Sequence, residues 1–187
     1  MFIDYVALML VDLVIAMVLV TLYFAKYINE NAKAVAPGFL LTGFIGLVTG
    51  LHMIFRWPLP GSFNIAFGEL AVLFGVLLIG TAVAFLAGWD LLSIGVYAVL
   101  AGVAAVVVGA RIFALKMTKE PLISALGFVA TGATGILSLP AYLTRKSRVL
   151  RIVAALAALG AAIVWAITGY ASYWSHLEGF AKWKPVP

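Results

Sequence analysis

Six long apolar runs dominate the chain, over 3–27, 37–56, 62–86, 91–115, 121–143 and 150–174, each closed by a short polar or Pro/Gly-containing break. A residue in a helix rises about 1.5 Å and the hydrocarbon core of a bilayer is about 30 Å thick, so about 20 apolar residues span it once. The pattern therefore predicts an all-α polytopic membrane protein, a bundle of six transmembrane helices forming a single domain over 1–187. The breaks read as turns: Asn29-Glu30-Asn31-Ala32-Lys33, Trp57-Pro58-Leu59-Pro60-Gly61, Gly88-Trp89-Asp90, residues 116–120, and Arg145-Lys146-Ser147-Arg148. Pro37 and Pro121 suit first helical turns because a proline there loses no hydrogen bond, Ser62 is placed to cap the third helix, and Pro140 is placed to kink the fifth. Trp183 in the short tail is expected near a membrane interface.

Composition sharpens this picture. Apolar residues make up 65% of the 187 and charged ones only 10%, with a mean hydropathy of +1.17, values that a water-exposed surface does not sustain. Six spans and short loops use the whole chain, leaving no length for a soluble catalytic or nucleic-acid domain. The net charge of +5 comes from Lys and Arg at span ends, where lipid headgroups account for it, so the lipid bilayer rather than nucleic acid is the expected partner. No cysteine is present, which excludes disulfides, iron–sulfur clusters and thiolate metal sites. The first span has Asp4 and Asp12 in place of a basic leader, and is expected to remain as a mature helix.

An even number of spans puts both termini on one side. Basic residues divide equally, six against six: Lys26, Lys33, Arg145, Lys146, Arg148 and Arg151 at one end, Arg56, Arg111, Lys116, Lys119, Lys182 and Lys184 at the other. The denser cluster before the sixth span places the termini outside the cell membrane.

Two packing signals stand out. Gly95, Ala98, Gly102, Ala105 and Gly109 recur at three-four spacing, so one face of the fourth helix lets a neighbour approach closely. In addition, Gly38, Phe39, Thr42, Gly43 and Gly46 align at a constant offset with Gly127, Phe128, Thr131, Gly132 and Gly135, and Arg56 with Arg145. One reading is a 3+3 inverted repeat with halves 1–88 and 89–176, in which the second and fifth helices face each other across a pathway. The other is coincidence among residues common in membrane helices.

Ionisable groups inside a bilayer cost at least about 2.5 kcal/mol at its centre and usually face a cavity or a partner. Asp12 falls near mid-depth, suited to proton coupling or solute binding. His52, Arg56, Glu69, Arg111 and His176 fall toward the membrane face shared with the termini, as a vestibule leading to Asp12. The plainer alternatives are an ion pair of Glu69 with Arg56 or Arg111, and interfacial hydrogen bonding for the two histidines. A metal ion would require His52, Glu69 and Asp12 to converge, with His176 as a fourth ligand; haem would require His52 or His176. Neither is demanded by spacing, and no cofactor is predicted. No serine sits in a nucleophile-elbow pattern, so an enzyme is not expected.

The run Trp57-Pro58-Leu59-Pro60-Gly61-Ser62-Phe63-Asn64-Ile65-Ala66-Phe67-Gly68-Glu69 resembles the signature of an uncharacterised family of archaeal and bacterial multi-spanning membrane proteins, a resemblance that implies the fold and no activity. The size, the placement of the termini and the stretch from Phe67-Gly68-Glu69 to Gly95 more faintly resemble the six-helix urea and short-amide channels. That family's full aromatic pore pattern is not matched, so urea selectivity is assigned to no residue. The resulting expectation is a channel or transporter for a small solute or ion, with Asp12, Thr42, His52, Arg56, Glu69, Arg111 and Thr131 along a polar path and the two threonines at its narrow midpoint. A redox subunit holding haem, quinone or metal, or an assembly subunit of a larger complex, is the alternative; either way a homo-oligomer or membrane complex is expected.

Overall fold

The structure, a computed structural model, describes residues 5–184. Its helices are α1 (Tyr5–Ala25), α2 (Ala36–Arg56), α3 (Leu70–Ala87), α4 (Leu92–Leu115), α5 (Pro121–Leu143) and α6 (Arg148–Gly179), with a π-helical segment, Asn64–Glu69, leading into α3. Two 3₁₀ turns, Tyr27–Asn29 and Ala32–Val35, join α1 to α2. The described residues contain no strand, and the six helices are each long and apolar enough to cross a membrane. The fold class is as the apolar runs predict, and the protein is a multi-pass membrane protein. Expected and observed ends agree within a few residues for five helices, although the expected start at Ile3, together with Asp4, lies outside the described residues. The sixth is the exception: α6 continues to Gly179, about five residues beyond the apolar run, and there exposes Trp174 and Leu177.

Short connections force neighbouring helices to run antiparallel. Each helix packs on the next in the chain and α6 closes on α1, so the bundle is a ring. The outer face carries Leu41, Phe44, Phe55, Leu100, Leu156 and Ile167, all exposed. Facing inward are small residues, including Ala154, Ala158, Ala161 and Ala162 of α6. Lipid is as apolar as leucine, so helices associate through close packing rather than through hydrophobic burial, and small residues permit it.

Glycines set the two tightest seams. A Cβ added at Gly43 or Gly50 of α2 would stand 2.8 Å from the carbonyl oxygen of Gly75 or Gly68, respectively. Between α4 and α5, a Cβ on Gly102 would stand 2.5 Å from the Gly132 carbonyl, and one on Gly132 equally close to that of Gly102. The small-residue face of α4 is therefore a packing seam against α5. The aligned glycines of α2 and α5 use different neighbours: Gly43 meets α3, whereas Gly132 meets α4, the helix equivalent to α1 in a 3+3 duplication. Gly43 and Gly132 thus pack on different neighbours, and what α2 and α5 share is a cavity, which Gly46 borders.

The Trp57-to-Gly61 reversal is held by a residue that the turn chemistry did not single out. Trp57 closes α2 in the left-handed conformation (φ 46°), and the chain then folds over Asn64, which is fully buried. Its side-chain amide donates to the carbonyls of Leu59 (2.5 Å) and Gly61 (3.3 Å), and its Oδ1 accepts from the Leu59 N–H (3.0 Å). The expected Ser62 cap is not formed: its hydroxyl lies 4.0 Å from the Met117 sulfur, and the helical segment begins without a side-chain cap. Asn64 serves because it both donates and accepts, which the reversed backbone requires. Asn64→Ala is expected to cost about 1–3 kcal/mol by leaving Leu59 unpaired, read as a lowered Tm in detergent.

At the opposite end Gly88 takes the left-handed conformation (φ 72°) that terminates α3. Asp90 follows, accepting from the Leu92 N–H (2.7 Å) and from the Tyr142 hydroxyl (2.9 Å), which ties the α3–α4 turn to α5. These two bonds, the backbone one foremost, hold the exposed Asp90 carboxyl below the usual carboxylate range. A depressed native pKa contributes stability that is present above the unfolded value and is lost as pH falls through the native one. Acidification through that window is therefore expected to release Tyr142, and Tyr142→Phe should bring the Asp90 titration closer to an ordinary carboxyl, as followed by ¹³C carboxyl NMR.

Candidate functional site

Asp12 is on the inner face of α1, 6% exposed, in a region otherwise built from Met9, Leu13 and Ala16. Asp12 stands at the edge of this inner face, one helical turn from the exposed Leu8 and Ile15. Asp12, Met9, Leu13 and Ala16 border a cavity of about 70 Å³ between α1, α2, α3, α5 and α6, with room for a few waters or a small solute. Asp12 makes no hydrogen bond to any described residue, and its Oδ1 is buried without a partner. An unsatisfied buried polar group costs about 1–3 kcal/mol, which singles out Asp12 as the candidate site residue of the bundle.

Across the cavity stand Thr42 of α2 and Thr131 of α5, both buried. The Thr42 hydroxyl donates to the Gly38 carbonyl (3.0 Å), and that of Thr131 to the Gly127 carbonyl (2.8 Å). The Thr131 oxygen in turn accepts from the Trp165 indole N–H (2.8 Å). Trp165, 2% exposed, lies flat over Gly127, where a Cβ would stand 2.8 Å from its ring. Phe128 meets Trp165 edge-on at 5.1 Å and Phe67 at 5.5 Å, and with Phe74 these rings form an aromatic wall.

A second cavity, of about 90 Å³, lies toward the α3–α4 turn, bordered by Tyr23, Phe39, Thr81, Ser138 and Tyr142 among others. Leu78 borders both. At the far end Tyr142 reaches Asp90. Toward the termini Tyr5, Met9, Met53 and Phe67 pack into an apolar cluster, with His52 edge-on to Tyr5 at 5.4 Å. The bundle interior therefore holds two small voids that share Leu78 as a bordering residue, with the apolar cluster on the side of the termini.

Of the expected site residues, the structure gathers Asp12, Thr42 and Thr131 at one cavity. His52, Arg56, Glu69 and Arg111 are exposed on the outside and border neither void, so the expected vestibule is not assembled from them. Glu69 forms no ion pair with Arg56 or Arg111 among the described residues. His176 lies near the end of α6 beside Phe180, with ring centroids 6.1 Å apart. Among the described residues, no three of the His, Asp and Glu side chains come together as a metal-holding group, so His52, Glu69, Asp12 and His176 do not converge. Periodicity missed the aromatic wall, because every helix here is apolar on all sides and a core ring looks like a lipid-facing one. Gly127 opposite Trp165 was the available trace.

A family model described as "Protein of unknown function (DUF981)" matches residues 1–179. The chain belongs to the DUF981 family. No curated protein and no solved structure matches it. DUF981 membership accords with the resemblance to an uncharacterised family and carries no activity, so the chemistry has to be read from the cavity.

Proposed function

We propose that this DUF981 protein is a membrane transporter or gated channel for a small solute or ion, with the Asp12 cavity as its binding station. The observation that carries this reading is the buried Asp12 carboxyl, unpaired and bordering a solute-sized void in mid-bundle. Ionisable groups held at such depth commonly mark substrate and ion pathways. The second void, aligned beyond Leu78, supplies the continuation toward Asp90, and Thr81 and Ser138 give it polar lining. Leu78, bordering both voids, and the apolar cluster toward the termini stand along this line, and passage would require these side chains to move, as in a gated carrier. We place the protein in the cell membrane with its termini outside.

In proteoliposomes tested with ammonium, protons and small neutral solutes, Asp12→Asn is expected to lower flux of the carried species at least about tenfold, the scale of one lost charge-assisted contact. Flux equal to that of the wild type at equal incorporation would remove Asp12 from the path.

A further inference from the structure

The polar atoms facing the Asp12 cavity are unusually one-sided. Four bordering residues carry polar side-chain atoms: Asp12, Thr42, Thr131 and Trp165. Each donor among them is already engaged, the two hydroxyls on helix carbonyls and the indole N–H on Thr131. With Asp12 ionised, what is left for a ligand is acceptors, Oδ2 of Asp12 and a lone pair on Thr42. An anion, or a solute recognised through its carbonyl, finds no donor there. Ca²⁺ or Mg²⁺ would find too few oxygens, since the first takes six to eight and the second about six. The remaining wall is aromatic, with Phe67, Phe74, Phe128 and Trp165, and ring faces attract a compact cation without offering it a hydrogen bond.

From this juxtaposition of one unpaired carboxylate with an aromatic wall and no free donor, we infer that the cavity binds a small monocation bearing N–H groups, of the ammonium or short alkylammonium class. The inference rests on the transport reading for the movement of that cation, but not for its binding. The cavity has room for ammonium or methylammonium. Asp12 takes the charge, Thr42 accepts a second N–H, and the rings cover the apolar side.

The test is equilibrium binding of radiolabelled methylammonium to the purified full chain, with flux of the same probe in proteoliposomes. The expected result is saturable binding, displaced by ammonium and not by urea or formate. Binding should weaken at least about tenfold in Asp12→Asn and about threefold in Phe74→Leu, as loss of a charge and of one ring face implies. Absence of saturable binding, or binding unaltered by Asp12→Asn, would overturn the inference. If Asp12→Asn does not fold, displacement of the probe from the wild type by urea or formate overturns it equally. Asp12-dependent flux of some other solute without methylammonium binding would sink the cation assignment and leave the transport reading standing. Asp12-dependent binding without flux of the bound cation would uphold the assignment and sink the transport reading.

Discussion

Gly132→Leu is expected to prevent assembly of the bundle, and Gly132→Ala to destabilise it by about 1–3 kcal/mol, the range for overpacking a filled interior. The seam at this point is backbone on backbone. A Cβ on Gly132 would stand 2.5 Å from the Gly102 carbonyl oxygen and 3.1 Å from the Val106 amide nitrogen, atoms that cannot rotate away. α4 and α5 would have to separate by about 1 Å, and every contact along the seam weakens with that gap. Lipid supplies no hydrophobic drive to restore it. Gly80→Ala and Gly160→Ala are the controls: nothing lies within 4 Å of either added Cβ, so both should be tolerated. Thermal unfolding and size-exclusion profiles in one detergent would separate the two groups; equal behaviour of Gly132→Ala and Gly80→Ala would contradict the close seam.

Trp165→Ala should be comparably costly for another reason. The ring is buried between Gly127 and Phe128, and its N–H is bonded to Thr131. Truncating a buried aromatic residue costs about 3–5 kcal/mol in water-soluble cores, from lost contacts and the void left behind. The contact part persists in a membrane bundle. Trp165→Phe keeps most of the ring and loses only the bond to Thr131, so it should cost about 1 kcal/mol. Variants with similar Tm values would show that the ring does not pack as described.

The sequence and the structure agree where physics is one-dimensional. A stretch long enough to cross a bilayer must be a helix, because its backbone has no water to bond to, so six apolar runs become six helices. Asp12, Thr42 and Thr131 were legible for a related reason: a carboxylate in a membrane segment requires an explanation, and the threonines sit among glycines at a matched offset. Arg56, Glu69, Arg111 and His52 misled because proximity to a helix end does not say which way a side chain faces. On largely apolar helices hydrophobicity leaves little periodic trace of rotation about the axis, and only the small-residue stripe of α4 showed which face packs. Asn64 was hidden within a loop-like string; its role depends on the backbone reversing over it, which local sequence does not encode. The glycine alignment identified real contact points but not their partners, since Gly43 meets α3 while Gly132 meets α4.

Accessibility of the cavity tests the transport reading most directly. The chain contains no cysteine, so Thr42→Cys carries a single thiol, across the cavity from Asp12, while Leu41→Cys carries one on the lipid face. Thiol reagents attack the thiolate, which forms only where water reaches. If the Asp12 cavity lies on a path across the membrane, the small cationic reagent 2-aminoethyl methanethiosulfonate should modify Thr42→Cys in proteoliposomes and leave Leu41→Cys untouched. A Thr42→Cys thiol as inert as the lipid-facing one would mean that nothing from water enters the bundle, and would contradict the path.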